Sequence, residues 1–73
     1  MNVNDLLFEI CEDKNVYDDN FDLIESGVLD SYAIIELFSK LEDINITIHP
    51  TQIKLENLRT PAKIKEMVKN YER

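Results

Sequence analysis

Residues 25–32 read Glu25-Ser26-Gly27-Val28-Leu29-Asp30-Ser31-Tyr32, and the organisation of the chain turns on this run. Gly27 permits a backbone turn that other residues resist. Val28 and Leu29 are apolar beside that break. Asp30 or Ser31 is the natural N-cap of the helix that follows. Downstream, Ile34, Leu37, Phe38 and Leu41 recur at i, i+3, i+4 and i+7, which predicts a helix from Ser31 to about Asp43. Ser31 then stands in the first turn, where unpaired backbone N–H groups and the positive end of the helix dipole face it. A phosphate on that hydroxyl is better tolerated there than in mid-helix. A serine at a helix start is also, more simply, a cap. Both readings stay open on the physics of this run alone.

Upstream, Val3, Leu6, Leu7, Ile10 and Cys11 form one apolar stripe, with Phe8 near its edge. This predicts a helix from Asn2 to about Asp13, capped by Asn2 and with Asp5 in the favourable first turn. Between it and Asp30 the periodicity is lost. Asn15, Asp18, Asp19, Asn20, Asp22, Ser26 and Gly27 favour turns. Val16, Tyr17, Phe21, Leu23, Ile24, Val28 and Leu29 supply apolar anchors, so the long loop is expected to pack over the core.

After Asp43, Ile44-Asn45-Ile46-Thr47-Ile48 alternates like a strand, yet no second strand exists to pair with it. It is read as an extended connection that inserts isoleucines into a helical core. Pro50 opens a short helical turn around Thr51 to Lys54, and Glu56 to Arg59 reads as a loop. Thr60-Pro61 marks a helix start, with Thr as cap and Pro at the first helical position. Ile64, Met67, Val68 and Tyr71 give this last helix its apolar face, and Lys63, Lys65 and Lys69 are expected in solvent. Lys69 and Arg73 suit its negative end. The expectation is an all-α fold, a small three- to four-helix bundle with a long loop between the first and second helices, formed by a single domain over residues 1–73.

The composition narrows the function. The chain has 73 residues, 15 acidic and 8 basic, for a formal charge of −7. Hydrophobic residues make up 44%, which separates it from a disordered acidic tail. A deep solvent-excluded pocket is not expected at this size. The charge repels nucleic acid and anionic membrane surfaces and suits a basic protein partner. A mimic of double-stranded DNA is acidic too, so charge alone does not decide. Cys11 is the single cysteine, so no intrachain disulfide forms, which fits a reducing compartment. The N-terminus lacks the basic and apolar regions of a signal peptide, and no apolar run is long enough to span a membrane. The expected setting is the cytoplasm.

The enzyme readings fail. His49 is the only histidine and sits beside Pro50 in a connection, which fits a surface histidine rather than a catalytic base. Cys11 lies on an apolar face with acids nearby, a setting that disfavours a thiolate. Asp18, Asn20 and Asp22 match the first ligand positions of a calcium-binding loop. Leu23 and Leu29 stand where that loop needs Gly and Glu, so no metal site is assigned. There is no Gly-rich phosphate loop and no metal-spaced Cys/His set.

In Asp30-Ser31-Tyr32 the chain resembles the carrier protein family of acyl, peptidyl and D-alanyl carrier proteins, whose hallmark is Asp-Ser before Leu or an aromatic residue. The resemblance covers essentially the whole order of elements. Glu25 to Tyr32 is similar to the Glu-Ser-Gly-Leu-Leu-Asp-Ser-Phe run of D-alanyl carrier proteins, and Ala33 matches the small residue that follows. Thr60-Pro61-Ala62-Lys63-Ile64 resembles the start of their last helix. The chain departs from their pattern at Pro50 to Lys54 and at Ile34.

The resemblance implies an acyl-carrier-protein-like fold and 4′-phosphopantetheine on Ser31. It implies no catalytic role for the chain itself. It implies cargo held as a thioester, D-alanine for teichoic acid D-alanylation first, with fatty acyl, polyketide or nonribosomal peptide chemistry as the alternative. The implied partners are a phosphopantetheinyl transferase, an adenylating ligase and a downstream acyl transferase, soluble or membrane-bound, acting on a monomer. Partners that reach Ser31 are expected to touch Val28, Leu29, Asp30, Tyr32 and a face of the helix holding Ala33, Glu36, Ser39, Lys40 and Asp43. Glu36 and Asp43 are read as rim charges that set association rate and salt dependence. The remaining rival is an acidic helical interaction module with no prosthetic group, in which Ser31 is only a cap.

Overall fold

A computed structural model describes residues 2–71. Three α-helices carry the fold: α1 (Val3–Cys11), α2 (Ser31–Asp43) and α3 (Pro61–Tyr71). Their starts follow local chemistry. The Asn2 side chain accepts the Asp5 N–H at 3.1 Å, and the Thr60 hydroxyl accepts the Lys63 N–H at 3.2 Å. Pro61 stands first in α3, where its missing N–H costs nothing. The ends are equally local. Glu12 terminates α1 in a left-handed conformation and donates its N–H to the Phe8 carbonyl. Asn45 does the same past α2 at φ 66, and Ile46 N–H closes onto the Leu41 carbonyl at 2.9 Å. Arg73, expected at the end of α3, lies outside the described residues.

Helix α1 packs against both α2 and α3. The shared core is Val3 and Leu7 from α1, Ala33, Leu37 and Leu41 from α2, and Ile64, Met67 and Val68 from α3. Leu6, Phe8, Ile10 and Cys11 line its edge. The long loop closes over this core through buried Val16, Leu23 and Leu29, as its apolar anchors predict. It holds a 3-10 turn at Lys14–Tyr17, capped by Asp13. Asn4, a polar residue buried in α1, donates from Nδ2 to the Val16 carbonyl at 2.8 Å and to Asp19 Oδ1 at 3.1 Å, which ties the loop to the first helix. Among the described residues there is no strand, and no helix is long and apolar enough to cross a membrane.

Several boundaries differ from the sequence reading. The alternating stretch buries Ile46 and Ile48, but its first two residues form a turn: Ile44 caps α2 and stays exposed, and Asn45 is left-handed. The turn expected at Thr51 to Lys54 is a 3-10 helix at Pro50–Gln52, and the expected loop at Glu56 to Arg59 is a 3-10 helix at Leu55–Leu58. Segments of three or four residues are too short to show a period. Buried Leu58 holds the second of them to the core.

Candidate functional site

The chain reaches Ser31 through a tight, internally bonded turn. Asp22 opens it: Oδ1 accepts the Ile24 and Glu25 amides at 3.1 and 2.8 Å. The Gly27 N–H closes onto the Ile24 carbonyl at 3.1 Å, with Gly27 at φ 77. Nothing lies within 4 Å of where a Gly27 Cβ would stand, so the backbone conformation and not space calls for glycine. The Leu29 N–H then returns to the Leu23 carbonyl at 2.9 Å. Buried Leu23 and Leu29 pin the two ends of this loop in the core.

Asp30 is the cap of α2. Its Oδ1 accepts the Ala33 N–H at 2.8 Å, and its carbonyl accepts the Ile34 N–H at 2.9 Å. That settles the choice left open between Asp30 and Ser31. Ser31 is the first helical residue, exposed, and its hydroxyl makes no hydrogen bond to a described residue. The N–H groups of Ser31 and Tyr32 also lack a partner among the described residues.

The residues grouped around Ser31 separate in space. Tyr32 (73% exposed) stands in solvent, Asp43 is exposed, and Val28 and Glu36 are half-buried. Leu29 (2%) and Ala33 (7%) are buried, which takes both out of the surface that partners were expected to touch. The reason is phase: with Asp30 as cap, Ala33, Leu37 and Leu41 recur every four residues toward α1. Ile35 (69% exposed) stands outside instead, one turn beyond Tyr32, and the sequence reading missed it. The apolar pair at i, i+3 was its only signal. Lys40, on the expected partner face, is engaged across the helices. Its Nζ lies 2.8 Å from Glu9 Oε1, a link between α2 and α1 that raises the Lys40 pKa.

Burial pushes the Cys11 thiol up, and the charges of Asp13, Asp30 and Glu36 push it further. A protonated Cys11 is no nucleophile. Two acids of the long loop are engaged inside the molecule. Asp19 Oδ1 meets Lys65 at 2.8 Å, and Asp22 Oδ2 meets Arg59 at 2.9 Å. Lys63 and Lys65 stand at the surface, each in an ion pair, Lys63 with Glu56 and Lys65 with Asp19. Among the described residues no group of acids, histidines and cysteines is arranged to hold a metal ion.

The start of α2 thus leaves the Ser31 hydroxyl exposed and without a hydrogen bond to a described residue. No family model matches the chain. The D-alanyl carrier protein of Abiotrophia defectiva is 33% identical over 66 residues, covering 88% of this chain and 84% of the relative. The D-alanyl carrier protein of Bacillus licheniformis is 34% identical over 61 residues, covering 81% of this chain and 78% of the relative. The chain belongs to the carrier protein family, on the side of the D-alanyl carrier proteins. Proteins of this family are substrates of partner enzymes and not catalysts, and they normally bear phosphopantetheine. The start of α2 fits such a group: the hydroxyl is exposed and unbonded, and two helix N–H groups beside it are free to face a phosphate.

Proposed function

We propose that this chain is a single-domain D-alanyl carrier over residues 1–73, with 4′-phosphopantetheine joined to Ser31 as a phosphodiester. The observation that carries the proposal is the exposed, unbonded Ser31 hydroxyl at the start of a helix that Asp30 already caps. When bound, the group supplies a thiol that holds an activated acid as a thioester. The chain's own residues anchor and present it. Asp30 fixes the helix start, Gly27 and the Leu23–Leu29 bond set the approach, and the free N–H groups of Ser31 and Tyr32 offset phosphate charge.

The proposed cargo is D-alanine for teichoic acid D-alanylation, in keeping with the printed names of the relatives. The proposed partners are a phosphopantetheinyl transferase, a D-alanine-activating ligase and a downstream acyl transferase, acting on a cytoplasmic monomer. They would meet Val28, Asp30, Tyr32, Glu36 and Asp43, with Ile35 taking the place first given to Ala33. The test is intact mass after incubation with coenzyme A and a broad-specificity transferase, followed by ATP, D-alanine and an adenylating ligase. A mass gain lost in Ser31→Ala, then selective D-alanine loading, is the expected result. A gain that survives Ser31→Ala removes Ser31 as the attachment point. Loading by a malonyl transferase instead moves the chain to the fatty acyl or polyketide carriers.

A further inference from the structure

Arg59 touches the Ser31 turn with both its backbone and its side chain, from the far half of the sequence. Its carbonyl accepts the Leu23 N–H at 2.6 Å, and the Leu23 carbonyl in turn accepts the Leu29 N–H at 2.9 Å. Leu29 directly precedes the Asp30 cap. The Arg59 guanidinium holds Asp22 through Nη1 and Glu56 through Nε, each at 2.9 Å. Asp22 uses its other oxygen for the Ile24 and Glu25 amides. The segment from Asp22 to Leu29 is thus fastened at its first residue by a carboxylate, at its second by a backbone bond, and at its last by return to Leu23. Among the described residues no other basic side chain pairs with an acid of this segment.

A half-exposed ion pair adds little to overall stability. Its geometry matters more here. The planar fork of arginine can hold two carboxylates in fixed directions, which the single ammonium of lysine cannot do as well. We infer that Arg59 is a positioning residue for Ser31: through Asp22 and the Leu23–Leu29 turn it sets how the start of α2 presents the hydroxyl to the enzyme that modifies it. This inference rests on the reading of Ser31 as the attachment point.

Full-length wild type, Arg59→Lys, Arg59→Gln and Asp22→Asn are compared by two measurements. One is the rate of mass gain with coenzyme A and a broad-specificity transferase. The other is amide hydrogen exchange of the same chains without the enzyme. Asp22→Asn keeps the oxygen that accepts the Ile24 and Glu25 amides and removes only the charge that Arg59 holds. In Arg59→Gln and Asp22→Asn the Leu23 and Leu29 amides are expected to exchange about fivefold faster, with α1 and α3 amides unchanged. Transferase kcat/KM falls about threefold, through KM, because less of the chain is in the presentable state. Arg59→Lys falls between these and wild type.

Equal transferase rates across the four chains overturn the positioning role, whatever the exchange shows. A uniform rise in exchange over all three helices also overturns it, since Arg59 then acts on global stability alone. A wild-type chain that gains no mass removes the Ser31 reading and this role with it, and the unmodified exchange pattern tells that failure from the others.

Discussion

Asp30 and Ser31 are neighbours with separate tasks. Asp30 spends its carboxylate on the Ala33 N–H, while the Ser31 hydroxyl makes no hydrogen bond to a described residue. Removing the cap by Asp30→Ala is expected to cost about 1 kcal/mol in urea unfolding. Ser31→Ala is expected to stay within about 0.5 kcal/mol, since it changes an exposed first-turn side chain. If Ser31→Ala costs as much as Asp30→Ala, the two roles are assigned the wrong way round. A cap reading of Ser31 was open while only the order of residues was considered, because either residue can begin the helix. The choice needs the direction of the Ala33 N–H, which is a property of the folded backbone.

Within α2 the two sides of one helix do different work. Leu37 is fully buried between the helices and Ile35 stands in solvent, two residues away. Leu37→Ala is expected to cost about 2–5 kcal/mol from lost burial and the cavity left behind. A domain holds only about 0.05–0.15 kcal/mol of stability per residue, so this change populates the unfolded state of so short a chain. Ile35→Ala is expected to leave the urea midpoint within about 0.5 kcal/mol of wild type while raising the KM of the loading ligase. An unchanged KM would take Ile35 out of the docking face. Helical period put Leu37 and Leu41 inside without difficulty. It also put Ile34 rather than Ile35 on the core side, but it could not place Ala33, which is small enough for either side.

Across the whole molecule, charge acts as internal fastening as well as surface field. Asp22 is held below the ordinary carboxylate range by the Glu25 amide and then by Arg59, Asp19 by Lys65 and Asn4, and Glu56 by Lys63 and Arg59. A lowered folded pKa contributes stability that is present above the unfolded value and is lost as pH falls through the folded one. The urea midpoint is therefore expected to hold from neutrality down to the unfolded carboxylate values, about 4, and to fall below them. A chain carrying Asp19→Asn, Asp22→Asn and Glu56→Gln should start lower and lose much of that acid slope. An identical slope in both chains would assign acid sensitivity to other carboxylates.

At this scale the division between sequence and fold is also clearest. The order of three helices, their caps at Asn2 and Thr60 and the turn at Gly27 follow from the chain itself. Each depends on residues a few positions apart, so its signal is local. The 3-10 helix at Leu55–Leu58, the burial of Ala33, the exposure of Ile35 and the grip of Arg59 on Asp22 were decided by tertiary structure. Arg59 and Asp22 are 37 residues apart in sequence. Nothing local tells an arginine which of many acids it will meet, because that distance is closed only when Leu23, Leu29 and Leu58 enter one core.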